Sequence, residues 1–382
     1  PDLQGRTTGD YPFAKVGDIS RCGRSDSSVL STAGHYVDQA DVEALRAKVV
    51  PAGSILFAKI GEAIRQNHRV IAGCPMLIDN NAMAAIPGAK VEGRFLYHYL
   101  KTVDFYAIAP ATTVPALRKS DLERLQIPLP PLPEQRRIAA ILDQAETLRT
   151  QRRAALAQLD SLTQSIFLDM FGDPVTNPRA WPVVSLTDIC HCYSGGTPSK
   201  ANSAFWKGAV PWFSAKDMKA EDLFDSEDHI AETVPQTTTL KLLPKDTVAI
   251  VVRGMILAHT FPVCVLRVPA TINQDLKALI PAIPINAQFL AACLRSQAGF
   301  VLEQVSEAGH GTKRLDARGL QKIRVLRPEP TLENTFATRV QAIEALKAKH
   351  RSALTELDGL FASLQHRTFN GELSAQAPTQ PK

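Results

Sequence analysis

The chain has 382 residues, more than one hydrophobic core usually organises, so two or more domains are expected. An apolar share of 45% and a charged share of 21% exclude a disordered or collagen-like chain. The net charge of +5, from 43 Lys and Arg against 38 Asp and Glu, permits an anionic partner such as DNA without demanding one. No apolar run reaches the roughly 20 residues of a membrane span, and the opening Pro-Asp-Leu-Gln has no secretion-signal character. A cytoplasmic protein with no membrane contact is therefore expected. Six cysteines without a Cys-x-x-Cys pair argue against a disulfide scaffold or a zinc site, and Cys190-His191-Cys192 reads as structural for want of a second ligand pair.

In chain order, Tyr11-Pro12-Phe13 with Asp18-Ile19 precedes residues 51–61, Pro-Ala-Gly-Ser-Ile-Leu-Phe-Ala-Lys-Ile-Gly, which read as a turn feeding a buried strand. Phe95, Leu96 and Leu100 mark the apolar face of a short helix, and Leu117 and Leu122 precede a strand-like run over 125–129. Pro128, Pro130, Pro131 and Pro133 then hold off a helix until Glu134, whose carboxylate complements the positive end of the helix dipole. Phe171-Gly172-Asp173-Pro174 stops it. A helix over 134–171 would be about 57 Å long at about 1.5 Å per residue.

The second half repeats the first. Val210-Pro211-Trp212 with Asp217-Met218 answers the first motif 199 positions on, and residues 244–254 answer 51–61 at an offset of 193. Phe289, Leu290 and Leu294 return the short helix, Leu315 and Leu320 return Leu117 and Leu122, and Arg351-Ser-Ala-Leu354 returns Arg153-Ala-Ala-Leu156. Each unit thus reads as a mixed globular part followed by a long helix. One helix carries Ile138, Ile141, Leu142, Ala145, Leu148, Leu156, Leu159, Leu162 and Ile166 at spacings of three and four; the other carries Val340, Ile343, Leu346, Leu354, Leu357, Leu360 and Leu364. Such narrow stripes on Arg-, Gln- and Glu-rich segments predict that the two helices pack together in a coiled-coil seam.

Ile127-Pro-Leu-Pro-Pro-Leu-Pro-Glu-Gln135 followed by Ile138 is similar to the junction between target-recognition domain and conserved helix in the specificity subunits of type I restriction-modification systems. Trp181-Pro-Val-Val-Ser-Leu186, Gly195-Gly-Thr-Pro198, Val210-Pro-Trp212, Ile272-Asn273 and Gly311-Thr312 resemble landmarks of that family's recognition domains. The resemblance covers essentially the whole chain. It implies an α+β fold of two tandem mixed α/β target-recognition domains separated by two long antiparallel coiled-coil helices, a pseudo-twofold internal repeat. The expected division is 1–132 and 173–330 for the recognition domains, 133–172 and 331–371 for the spacer helices, and 372–382 for a flexible tail.

The resemblance also implies a subunit that does no chemistry and reads an asymmetric bipartite target in double-stranded DNA. Two methyltransferase subunits and the restriction (translocase) subunits would carry the S-adenosylmethionine, ATP and Mg. The chain departs from the pattern in two places. The first half lacks the opening that the second has over 181–205, and the chain does not begin with Met, which predicts a shortened N-terminus and a first domain missing a strand. The Pro-Leu-Pro-Glu-Gln junction is answered only by Leu326-Arg-Pro-Glu-Pro-Thr-Leu-Glu-Asn334.

No catalytic residues are recognised. Asn177-Pro-Arg-Ala180 lacks the second proline and the aromatic of an adenine methyltransferase, and no Gly-x-x-x-x-Gly-Lys-[Ser/Thr] phosphate cradle occurs. Asp246 with Asp275-x-Lys277 could be drawn as a nuclease triad but reads as structural. The DNA-contact candidates are Arg21, Arg24, Lys59, Arg65, Asn67, His68, Arg69, Arg118 and Lys119 in the first domain. In the second they are Lys200, Lys207, Lys216, Lys219, Arg253, His259, His310, Lys313 and Arg314, and the loops 66–69 and 310–314 stand out among all of these. Arg136, Arg137, Arg152 and Arg153 are the candidates for a methyltransferase interface. The alternatives are a recognition module fused to a methyltransferase or nuclease, and a coiled-coil protein adaptor.

Overall fold

The computed structural model describes residues 5–25, 27–110, 114–307 and 311–370. It contains two compact units, Pro1–Ala154 with Arg351–Lys382, and Ala155–His350. The boundaries fall inside the two long helices and not at their ends, because each half-helix is packed onto the globular part of its own unit.

In the first unit Tyr11–Ala14 pairs antiparallel with Tyr36–Val37 and parallel with Leu77–Ile78. A larger sheet runs in the spatial order Val29–Leu30, Val70–Ala72, Ile55–Ala58, Ala82–Ala85. All four residues of Ile55–Ala58 are buried, so the strand reads as a continuous apolar run and not as an alternation. The second unit repeats both sheets. Val210–Phe213 pairs with His229–Ile230 and Thr271–Ile272 in the same register, and the larger sheet runs Asp222–Leu223, Val263–Leu266, Thr247–Val251, Leu276–Pro281. It then adds a fifth strand, Cys190–Ser194, which among the described residues has no counterpart in the first unit.

The repeat extends to individual hydrogen bonds. Asp18 and Asp217 each accept the backbone N–H three residues upstream, from Lys15 and Ser214, at 2.9 and 2.8 Å. Ser54 and Thr247 each donate a hydroxyl to the preceding proline carbonyl, of Pro51 and Pro244. At the base of the long helices, buried Gln135 accepts the Glu92 N–H at 2.8 Å while its amide donates to the carbonyls of Lys90 and Pro130. Glu333 stands in the same place in the second unit and accepts the Asn286 N–H at 3.1 Å, but its other oxygen is buried without a partner.

Burial pushes the Glu333 carboxyl up from its ordinary value, against the pull of the Asn286 N–H and Arg327. A raised carboxyl contributes stability that is present at low pH and lost as pH rises through the folded value. Glu333→Gln should therefore stabilise the protein by about 1 kcal/mol at pH 7 and by less at pH 4. Urea melts of both proteins at the two pH values measure this, and a destabilised variant at pH 7 would contradict it.

Both long helices have 40 residues, Leu132–Phe171 and Pro330–Phe369. The first starts ahead of Glu134 because a proline is tolerated in the first turn, and Gly172, with φ of +78°, turns the chain out of it. Within the first unit the two helices run antiparallel: Ile138, Ala139, Leu142 and Ala145 share a cluster with Phe361 and Leu364, and Arg149 pairs with Asp358. His98, fully buried, reaches Asp143 at 2.8 Å and anchors the helix Gly93–Thr102 to the same seam. Within the second unit Phe167 and Phe171 meet Phe336 and Phe289, and Lys347, with its side chain 2% exposed, bridges Asp160 and Glu344 at 2.9 and 2.8 Å.

The expected stripe needs correction in detail. Ile141, Leu148, Leu162, Leu346 and Leu360 are exposed, while Lys347 and Thr163 lie inside. Ion pairs and aromatic rings hold positions that a heptad pattern assigns to leucine. Among the described residues no helix is long and apolar enough to cross a membrane.

Candidate nucleic-acid interface

In each unit the buried central strand leaves its sheet through a glycine in the left-handed region, Gly61 with φ of +76° and Gly254 with φ of +136°. The chain is then caught by a second segment. Gly61 donates to the Pro115 carbonyl at 2.8 Å and Leu117 donates to that of Lys59 at 2.8 Å. Gly254 donates to Lys313 at 3.0 Å and Leu315 to Val252 at 2.9 Å. The isolated bridges Ile60↔Ala116 and Arg253↔Arg314 therefore occupy equivalent places in the two units.

What stands there differs. The first unit presents Ile60 and Ala116; the second presents two exposed arginines directly opposite each other. Like charges facing across a bridge repel. Beside them is a cleft of about 400 Å³, whose lining includes Ser194, Gln274, Lys277 and Asp316 as well as Arg253 and Arg314. Lys277 donates to the Ser194 hydroxyl at 2.9 Å, and the Thr197 hydroxyl donates to the side-chain amide oxygen Oε1 of Gln274 at 2.6 Å. Asp316 caps a helix through the Gly319 N–H, so its carboxylate is held in place. Fixed donors and acceptors around a concave surface suit the edge of a base pair, where bonding groups of both kinds are displayed.

Several expected contact residues have other tasks. Arg69 is buried, 4% exposed, with its guanidinium 3.5 Å above the centre of the Phe105 ring, and burial pushes its pKa down to about 9. Asn67, at φ of +53°, accepts from Arg69 at 2.7 Å and from the Phe105 N–H. Asn67 and Arg69 thus fasten the loop 66–69 inward, while Gln66 is exposed. His68, half-buried, lies against Gly23, and burial, followed by Arg24, Arg69 and Lys101, lowers its pKa.

Arg65 pairs with Glu62 at 2.8 Å and with the Tyr106 hydroxyl, Arg21 with Asp18, and Lys119 with Glu123. Arg24 and Arg118 are exposed and Lys59 is half-buried. In the second unit Lys216 is held by Asp228 and Glu227, whose hydrogen bonds raise its pKa, and Lys219 lies 3.5 Å from Glu227. Lys200, Lys207 and His259 are exposed, Lys313 pairs with Glu307 at 3.1 Å, and His310 lies outside the described residues.

On the first long helix Arg136 and Arg137 are exposed, Arg137 bonded to Glu134 at 2.6 Å; Arg152 is exposed and Arg153 lies 3.7 Å from Asp358. Asp246 pairs with Arg267 and Asp275 accepts from Asn273, so both carboxylates of the imagined nuclease triad are engaged in the framework. Cys190 is buried and its thiol is pushed up to about 12 by burial, while His191 on the same strand is exposed. Ser194, Gln274 and Asp316 were not singled out by motif, and Lys277 entered only through the Asp275-x-Lys277 pattern read as structural. The one legible signal was a lysine inside the otherwise apolar strand Leu276–Pro281.

Two copies of one mixed α/β unit, alike in framework and different at the same exposed bridge, define a tandem-repeat protein with two distinct heads. The family model described as the type I restriction modification DNA specificity domain matches residues 4–158 and 178–353, and the chain belongs to that family. The EcoR124I/EcoR124II specificity subunit of Escherichia coli is 32% identical over 216 residues, which is 55% of this chain and 52% of that one. The MjaIX specificity subunit of Methanocaldococcus jannaschii is 25% identical over 256 residues, 61% of this chain and 57% of that one. The matched region thus spans about half the length of these curated relatives. A crystal structure of the type I restriction-modification S subunit from M. genitalium shares the fold, with a TM-score of 0.58 at 17% identity, covering 96% of this chain and 90% of that one. So does a chain solved in work on complex assembly and conformational transition of the type I R-M system, with a TM-score of 0.57 at 21% identity and coverages of 95% and 92%.

Proposed function

We propose that this chain is the DNA sequence-specificity subunit of a type I restriction-modification complex, working in the cytoplasm without chemistry of its own. Each unit reads one half of a bipartite target. The observation that carries this is the loop frame built twice with the same hydrogen bonds and filled with different side chains, Ile60 and Ala116 against Arg253 and Arg314. One framework with two surfaces suits two unlike half-sites, where a symmetric dimer would read a palindrome.

In this proposal the methyltransferase subunits dock on the long helices, where the exposed Ile141, Leu148 and Leu360 give them an apolar surface and the first helix adds Arg136, Arg137, Arg152 and Arg153. S-adenosylmethionine, ATP and Mg belong to the partner subunits. The test is to co-express the chain with its methyltransferase in a host lacking other adenine methylation and to map the methylated sites. The expected result is one asymmetric motif in two parts with a gap of fixed length. A palindromic motif, or no methylation by a complex that assembles, would overturn the proposal.

A further inference from the structure

We infer that the groove along the open edge of the first unit's larger sheet receives one added β-strand, an extended segment that ends in a pair of glycines. The second unit shows what covers the same place. There Leu276–Pro281 has Thr247–Val251 on one side and Cys190–Ser194 on the other, paired from Lys277↔Ser194 to Pro281↔Cys190. The chain then passes over the smaller sheet. Gly196 donates to the Ile272 carbonyl at 3.0 Å and accepts from the Trp212 indole at 2.9 Å. A Cβ on Gly195 would fall 1.9 Å from the Ile272 oxygen, so only glycine fits.

Strand register carries these positions into the first unit. Phe57↔Met83 and Ile250↔Lys277 are equivalent pairs, so Met83, Ala84, Ala85 and Ile86 stand where Lys277, Ala278, Leu279 and Ile280 stand. Likewise Phe13↔Leu77 and Trp212↔Thr271 are equivalent, so Phe13 replaces Trp212 and Ile78 replaces Ile272. Among the described residues no strand pairs with the outer edge of Ala82–Ala85. Ala278 is fully buried but Ala84 only half-buried; Ile280 is half-buried, whereas Ile86 is 60% exposed. Phe13, Ile78, Met83, Ala84 and Ile86 line one groove of about 550 Å³.

An edge of unpaired main-chain groups beside an apolar groove is the geometry in which an extended segment adds to a sheet, its backbone giving affinity and alternate side chains filling the groove. The backbone of Ile78 and Asp79 sets the glycine requirement, as that of Ile272 and Asn273 does in the second unit. A second copy pairing edge to edge is the competing occupant.

The probe is a reduced synthetic peptide of residues 183–199, added to the full chain and followed by calorimetry and amide hydrogen exchange. One peptide should bind per chain, slowing exchange over 82–86 by about tenfold or more and leaving 276–280 unchanged. The same peptide with Gly195→Val should bind at least about tenfold more weakly, because its side chain would meet the Ile78 backbone. Absence of binding, or equal binding by the Gly195→Val peptide, would overturn the inference. So would a dimer in sedimentation whose 82–86 amides are already protected without peptide.

Discussion

Replacing Arg253 and Arg314 together by alanine should relax the reading of one half-site and leave the other intact. Arg253 and Arg314 are partners in an isolated bridge, and the first unit puts Ile60 and Ala116 in the same places. Two like charges on paired exposed residues favour an electron-rich partner there. A bidentate contact with a guanine contributes about 1–3 kcal/mol of discrimination, so losing two should lower preference for that half-site by roughly 30-fold to 20,000-fold. Competition binding with duplexes altered in one half at a time measures this. If the arginines touch only phosphates, all sequences should weaken together and the salt slope should fall by about 0.9 for each lost contact. That outcome would remove these residues from base reading while leaving them at the interface.

Phe167→Ala should be among the most destabilising single changes in the second unit. The ring is fully buried and its centroid lies 5.2 Å from Phe171, 5.6 Å from Phe336 and 5.7 Å from Phe289. It therefore joins both long helices of its unit to the helix Ala287–Ser296. Removing it leaves a cavity among rings that cannot collapse together, at a cost of about 3–5 kcal/mol. Leu162→Ala, on the same helix but 39% exposed, should cost less than about 1 kcal/mol. Chemical denaturation of the two variants provides the comparison, and equal costs would mean that the aromatic cluster does not organise this unit.

The duplication was legible because burial dictates its residues. Motifs around Pro12 and Pro211, and around Pro51 and Pro244, recur as equivalent strand pairings and equivalent side-chain bonds. The helix seam was less so. Periodicity reports which residues share a helix face, but not whether a lysine on that face, such as Lys347, is neutralised by two carboxylates and drawn inside. The packing of Arg69 was hidden for a similar reason: nothing near it in sequence announces the Phe105 ring beneath its guanidinium. The cleft around Arg253 was half legible. Arg253 and Arg314 stood out by charge, whereas Ser194 lies some eighty residues from Gln274 and Lys277 and meets them only through strand pairing.

The position of the unit boundaries bears on how the chain is made. Ala155–His350 is one continuous stretch, while the other unit is assembled from Pro1–Ala154 and Arg351–Lys382, on either side of it. In topological terms the second unit is an insertion within the first. As the ribosome delivers the chain from its amino end, the inserted unit has all its residues once His350 has emerged. The host unit must wait for Phe361, Leu364 and Phe369 to close over Ile138, Leu142 and Phe95. The head that begins first is therefore the last to be finished, and until then the apolar face of its half-helix is open to chaperones or to a partner subunit arriving during synthesis.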